Sequence, residues 1–288
     1  MGLFIVKNII NKHGGSINFV STENKGTTFN LYFPITTKKN NEEKSLGETV
    51  RILFKKLTQE QILHEILIVN DHSTDHTIET LEKLKIEIST LRWINNSSLP
   101  QGFGYAVRQG LNCFNGDCVA IYMADGSDST DDLILFYRTL VEKNYDAVFG
   151  SRFIPGGEAL FYPTLKLILN RIANNMIRLL FGLKYNDITN AFKLYRTETI
   201  EGLKPFISSQ FNFTVELPLK VIIRGFNYTY LPNKWTNRNN GESKFKIKEM
   251  GSRYVFIILY CLLEKYLTRG DYLKNKNILI KQDKDTYR

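Results

Sequence analysis

The chain has 288 residues and a mass of 33.4 kDa, enough for one large α/β domain or two small ones, since single cores grow to about 250 residues before they split. Its 43% hydrophobic, 12% aromatic and 23% charged residues are a globular composition, which excludes wholesale disorder, a fibrous architecture and a peptide-sized binding module. The net charge is +9, and residues 233–288 hold 13 basic against 6 acidic side chains, so the excess lies at one end, where nucleic acid, anionic lipid or a phosphorylated small molecule would be attracted.

In chain order, residues 1–36 read as a helix with apolar Phe4, Ile5, Ile9 and Ile10, a stop at Gly14 and Gly15, then two alternating strands about a polar turn. Residues 38–44 form a polar junction, and helical periodicity runs from Leu46 to Leu63. From Glu65 strands and helices alternate: EILIVN, a helix over 77–85, a strand near Trp93, a helix over 104–114, CVAIYM, a helix over 131–143 and DAVFG. Such alternation predicts a mostly parallel sheet flanked by helices, with ligands at the carboxyl ends of its strands. Beyond Gly150 come a loop, a long helix over 163–181, the segment NDITNAFKLYR, a helix over 214–224, a strand near Tyr228, a basic loop, a helix over 249–267 and a basic tail from 273 to 288. The domains expected are 1–37, 38–248, an amphipathic helix at 249–272 and the tail.

Cys113, Cys118 and Cys261 are too few for a secreted disulfide scaffold and lack the CxxC spacing of redox or zinc sites, so reduced cytosolic thiols are expected. Met1 to Gly14 lacks the pattern of a signal peptide. The longest apolar run, Tyr254 to Leu263, is well short of the roughly 20 residues that cross a bilayer. Any membrane contact is therefore expected from one side. The 249–267 helix, rich in Tyr, Phe, Ile and Leu and carrying Arg253, Lys265 and Arg269, suits the headgroup plane; packing on the domain and dimerisation are the alternatives.

Asp71 follows the apolar strand EILIVN directly and is succeeded by HSTDHT at a helix start, which places a carboxylate and hydroxyls such as Ser73 where a polar ligand is gripped, although Ser73, Thr74 or Asp75 also suit a helix cap. His72 and His76 straddle the loop and make a poor metal pair. GFGYAVRQG at 102–110 sets Gly102 and Gly104 at a helix start with Arg108 one turn on; it lacks the third glycine of a dinucleotide fingerprint, and close helix–sheet packing explains the glycines nearly as well. VAIYMADGSDSTDD puts Asp125 and Asp128 just past a buried strand, where unpaired carboxylates are costly unless solvated or bound to a cation such as magnesium or manganese. Asp131 and Asp132 are assigned to the next helix's first turn, where they complement its dipole.

Two resemblances follow from these motifs. GLFIVKNIINKHGGSI with KGTTFNLYFP resembles the C-terminal end of a sensor histidine kinase ATPase domain over about 35 residues, without the boxes that enclose its nucleotide. NEEKSLGETV, EILIVNDHSTDHT, QGFGYAVRQG, YMADGSD, FGSRFIPGG, NDITNAFKLYR, FNFTVELPLK and NRNNGESK, eight segments in family order, resemble a family 2 glycosyltransferase of the GT-A fold, in the dolichyl-phosphate mannose or glucose synthase branch, from Asn41 to about Tyr272. That resemblance implies transfer of a sugar, with inversion, from a nucleotide diphosphate sugar to a polyprenyl phosphate, assisted by Mg2+ or Mn2+, on the cytoplasmic face of a membrane whose anionic surface the protein touches, and without nucleic acid. It also implies roles by position. Asn41, Glu42, Asp71, Ser73, Gly104, Arg108 and Asp125 belong to the donor side; Asp125, Ser127 and Asp128 hold metal, with Met123 standing where the DxD motif has its first carboxylate; Arg152, Arg238, Ser243 and Lys244 meet phosphates; Asp125, Arg152 and Asp187 are catalytic.

Charge built on a departing diphosphate would be met by the metal, Arg238 and Lys244. A lipid phosphate is an anion near neutral pH and needs no strong base, whereas an alcohol acceptor would, with Asp187 as the candidate. Arg152 would hold the acceptor phosphate. The family's first strand is replaced by the kinase-like tail, and Phe29–Ile35 is the segment to fill its place. The alternative is a noncatalytic chimeric scaffold with a defective donor site.

Overall fold

A computed structural model describes residues 31–32, 35–37, 43–97, 101–237 and 247–274. Residues 1–30, which carry most of the kinase-like resemblance, lie outside them.

The strand at His64–Asn70 (β3) is buried at each of its last five positions, as a run covered on both faces requires. On one edge it pairs in parallel with Leu91–Asn95 (β4), and it also pairs in parallel with two short strands, Leu31–Tyr32 (β1) and Ile35–Thr37 (β2). β1 pairs in turn with Cys118–Ile121 (β5), again in parallel. The place of the first strand is therefore filled by residues from within Phe29–Ile35, and the boundary expected at 37/38 falls inside one continuous sheet. Lys193–Arg196 (β8) then lies antiparallel between β5 and Ala147–Ser151 (β6), and β6 continues in parallel to Tyr228–Pro232 (β9). The segment NDITNAFKLYR thus supplies the sheet's antiparallel strand, which its short apolar pattern did not announce.

Side chains alternate across this sheet with period two. Ile66, Ile68, Cys118, Ala120, Val148 and Leu194 point into one core, whereas Leu67, Val119, Ile121, Phe149 and Tyr195 point into the other. The first core is closed by helices Glu43–Gln59 (α1), Thr77–Glu87 (α2) and Thr130–Glu142 (α4), and α1 presents Leu46, Val50, Leu53 and Leu57 at helical spacing. The second is closed by Phe103–Cys113 (α3), Thr164–Phe181 (α5), Thr197–Leu203 (α6), Phe213–Ile223 (α7) and Ile247–Leu267 (α8). Burying both faces drives the layered arrangement.

β3, β5 and β6 all point their carboxyl ends the same way, and β8 begins at that edge because Ile121 and Phe149 both pair with Lys193. The carboxyl edge is roofed by a second small sheet in which Glu158–Leu160 (β7) pairs in parallel with Lys234–Thr236 (β10). Residues 234–236 were expected in a loop; their partner lies more than seventy positions upstream, too far for local pattern to reveal.

Candidate active site

After β5 the chain turns through Gly126, whose φ of 63° is the left-handed region that glycine adopts without strain. The turn is held from several sides. Asp125 Oδ1 accepts from Ser127 N at 2.9 Å, the Tyr122 hydroxyl donates to Asp128 O at 2.7 Å, and Thr236 N of β10 donates to Ser127 O at 3.0 Å. Asp128 is left 6% exposed, and neither its Oδ1 nor Ser127 Oγ has a protein partner. Burial pushes the Asp128 carboxyl up to about 8; Asp125 adds to the shift, and Arg152 opposes it.

Buried polar atoms are nearly always satisfied, so two orphaned oxygens, one of a carboxylate and one of a hydroxyl, beside the Asp125 carboxylate mark a place for a cation. Carboxylate and hydroxyl oxygens suit a hard divalent ion such as Mg2+ or Mn2+. No cluster of three or more His, Cys, Asp and Glu is present among the described residues, and Asp125, Ser127 and Asp128 are the oxygen-bearing side chains of this turn that could hold such an ion. Asp131 and Asp132 sit in the first turn of α4, as expected: Ser129 caps Asp132 N, Asp131 pairs with Lys56, and Asp132 accepts from Lys234 N at 2.7 Å.

At the end of β6, Arg152 donates to Asp187 through its backbone N at 3.0 Å, its Nε at 2.8 Å and its Nη2 at 2.8 Å. The pair is buried, with side chains 7% and 0% exposed. Burial alone would lower the Arg152 value, but Asp187 outweighs it and holds the guanidinium more firmly charged than usual. Aromatic rings of Phe153, Tyr162 and Trp235 stand 5.2, 5.5 and 5.7 Å from Arg152 Cζ. Both oxygens of Asp187, the candidate base toward an alcohol acceptor, are engaged by Arg152, and its surface is closed.

Sequence reasoning missed the network that fixes this pair. Arg171 of α5 stands over the Phe153 ring, its Cζ 4.2 Å from the centroid, and donates from Nη1 to Asn186 O at 3.0 Å. Asn190 donates to Gly150 O and to Asn233 Oδ1, both at 2.9 Å, and so ties β6 to the loop before β10. Lys193 is buried beneath, donates to Ile188 O at 3.0 Å, and is lowered to about 7 by burial, with Asp187 and Asp128 opposing that shift and Arg152 adding to it. None of these carries a sequence signature, because each acts through the burial of an ordinary polar residue.

Asp71 lies at the same sheet edge, buried, and its Oδ1 accepts from Asn96 Nδ2 at 2.8 Å, while Ser73 N donates to Asn70 Oδ1 at 3.1 Å. Asp75, not Ser73, receives the helix-start amide, from Thr77 N. Gly104 and Arg108, expected on the donor side, meet the loop 208–210. A Cβ on Gly104 would stand 2.6 Å from Ser209 C, and Arg108 Nη2 donates to Ser208 O. The glycines admit the loop 208–210, and the sheet is not what they approach. Asn41, Glu42, Arg238, Ser243 and Lys244 lie outside the described residues. The acidic loop, Arg152, Asp187 and Asp71 are brought to one edge.

This fold, with an acidic loop after a central strand and a buried arginine on the next, is that of the GT-A glycosyltransferases. The family model of glycosyl transferase family 2 matches residues 38–203, and the chain belongs to that family. It is 30% identical over 203 residues to a polyprenol monophosphomannose synthase of Mycolicibacterium smegmatis, covering 65% of this chain and 76% of that one. It is 26% identical over 209 residues to an undecaprenyl-phosphate mannosyltransferase of Micrococcus luteus, covering 70% and 84%. The glucosyl-3-phosphoglycerate synthase of Mycobacterium tuberculosis, solved with Mn2+, UDP and phosphoglyceric acid, matches in fold with a TM-score of 0.59 at 14% identity, covering 82% of this chain and 78% of that one. The chain is a glycosyltransferase, and the noncatalytic scaffold is not favoured.

Proposed function

We propose that this chain transfers a hexose from a nucleoside diphosphate sugar to a polyprenyl phosphate, inverting the anomeric carbon. The observation that carries this reading is the juxtaposition of an acidic loop holding two unpartnered buried oxygens with an arginine fixed by Asp187. The relatives named for polyprenol and undecaprenyl phosphate support the acceptor class.

Asp125, Ser127 and Asp128 would hold a divalent ion, which when bound supplies positive charge to the departing diphosphate. Arg238 and Lys244 would bring positive charge and Ser243 a hydroxyl to that group, and Asn41, Glu42, Asp71 and Ser73 would serve the nucleoside end of the donor. Arg152 and Arg171 share the ring of Phe153; Arg152 is bound to Asp187, and Arg171 donates to the Asn186 carbonyl. An incoming phosphate is the anion that suits such a pair of guanidiniums. With a second phosphate ionisation near about 6, its oxygen attacks as an anion and needs no strong base. Asp187's commitment to Arg152 fits an acceptor that brings its own charge.

Among the described residues no helix is long and apolar enough to cross a membrane. The enzyme works from the cytoplasmic face, held peripherally where its lipid acceptor resides. The test is a panel of UDP- and GDP-linked hexoses incubated with polyprenyl phosphate in micelles, with and without Mn2+, and read by mass spectrometry. A glycosylated lipid phosphate is expected with one donor class; hydrolysis alone, or transfer only to a neutral alcohol, contradicts the acceptor assignment.

A further inference from the structure

α5 buries Ile177 and Phe181 in the second core, but the rest of its inward face is polar. Its Asn174 is 0% exposed, and both Asn170 and Asn174 turn inward, donating to Thr189 Oγ1 at 2.7 and 2.9 Å. Five of its apolar residues face the other way: Leu165, Ile168, Ile172, Met176 and Leu179 stand exposed at spacings of three and four, with Ile172 at 60% and Leu179 at 84%. That spacing draws one stripe along a helix face, about 21 Å long from Leu165 to Leu179. A water-facing helix of a soluble domain has the opposite arrangement, so this stripe has a partner.

The terminal helix continues it. On α8, Ile257, Ile258 and Cys261 are buried against the domain, while Val255, Phe256, Leu259, Leu263 and Tyr266 are exposed on a second stripe. Lys265 of α8 donates to Phe181 O at the end of α5, which joins the two helices. Charge selects the occupant. α5 carries Lys166, Arg171 and Arg178 and no acidic residue, and the acid within α8's described face, Glu264, is buried against Arg224. An apolar stripe flanked by cations fits the interface of an anionic bilayer, where chains take the apolar residues and headgroups the basic ones.

We infer that α5 and α8 together form the membrane-docking face, and that α5 couples docking to the reaction site. The coupling is direct, because α5 holds Thr189 through its two asparagines and Asn186 through Arg171, on either side of the Asp187 that fixes Arg152. A lipid phosphate would then reach Arg152 without leaving the interface. Only this last step rests on the acceptor proposed above.

The test is co-sedimentation of the full chain with vesicles of phosphatidylcholine, with and without phosphatidylglycerol. The chain is expected to bind, more tightly with phosphatidylglycerol, and Ile172→Glu with Leu179→Glu is expected to weaken binding by about tenfold or more. The same variant keeps its melting temperature and its transfer to a water-soluble short-chain phosphate, while transfer to a vesicle-embedded acceptor falls with binding. A Leu179→Trp chain is expected to shift its fluorescence to the blue on vesicles. Equal vesicle binding by parent and variant, no blue shift, or a parent dimer that the glutamates split into monomers would overturn the docking face. Vesicle binding that behaves as described, with no sugar transferred to any lipid phosphate, would sink the acceptor assignment and leave the docking face standing.

Discussion

Arg152 and Asp187, 35 positions apart, are joined by three hydrogen bonds to a carboxylate that has no exposed surface. The pair fixes the position of the Arg152 guanidinium. Removing one member strands the other in a medium that solvates charge poorly. Asp187→Ala is expected to cost about 3–5 kcal/mol of stability and to lower transfer further by releasing Arg152. Asp187→Asn, which keeps the shape but loses the charge, should fall between. Urea denaturation beside initial rates checks both, and an Asp187→Ala chain as stable as the parent would show that the pair is not buried in solution.

The Asp128 carboxyl, raised to about 8 from an ordinary 3.8, links metal to pH. An ion displaces its proton, so apparent Mn2+ affinity should rise about tenfold per pH unit up to roughly 8, with protons released on binding. Titration calorimetry in two buffers of different ionisation enthalpy reads that release. In the metal-free protein the sign is opposite: the stability present below the ordinary carboxylate value is lost as pH climbs through about 8, and Asp128→Asn should flatten that decline. A pH-independent Mn2+ affinity would remove Asp128 from the ion's surroundings.

Lys193 titrates in the other direction. Its value is lowered to about 7 from 10.5, mainly by burial, so the unfolded chain holds a proton that the native state has released. Stability attributable to Lys193 is therefore present above 10.5 and lost as pH falls through about 7. Relative to Lys193→Met, the parent should gain stability as pH rises across that window. A constant difference by chemical denaturation would mean that the ammonium is solvated.

Gly104 is held by sterics, since a methyl group would meet the backbone of Ser209 at 2.6 Å and Ser208 O at 3.0 Å. Backbone cannot step aside as a side-chain tip does. Gly104→Ala should cost about 1–3 kcal/mol, seen as a lower melting temperature. An unchanged melting temperature would show that the loop 208–210 is free to move.

Much of this architecture was legible in the sequence wherever a local pattern decided it. The strand ending at Asn70 is an apolar run followed by Asp71, and the strand ending at Ile121 runs into the acidic loop, so both elements and their polar carboxyl ends could be placed. What escaped was decided at a distance. A long helix was expected over 163–181, but the sequence alone does not say which of its faces is inward; Thr189, offering one hydroxyl to two asparagines, decides that. The pairing of Asp187 with Arg152 is made across 35 residues, beyond the reach of local pattern. The burial of Lys193 follows from β8 lying in the middle of the sheet, which is likewise set by distant partners.

The central claim is that Asp125 and its neighbours serve the departing diphosphate while Arg152 receives the lipid phosphate. Mass spectrometry of the transfer reaction, run for the parent and for Asp125→Ala with and without a chelator, tests it most directly. Glycosylated polyprenyl phosphate is predicted from the parent with Mn2+ or Mg2+, lost on chelation, and reduced at least about a hundredfold by Asp125→Ala. Undiminished product from Asp125→Ala in the presence of the ion would contradict the account.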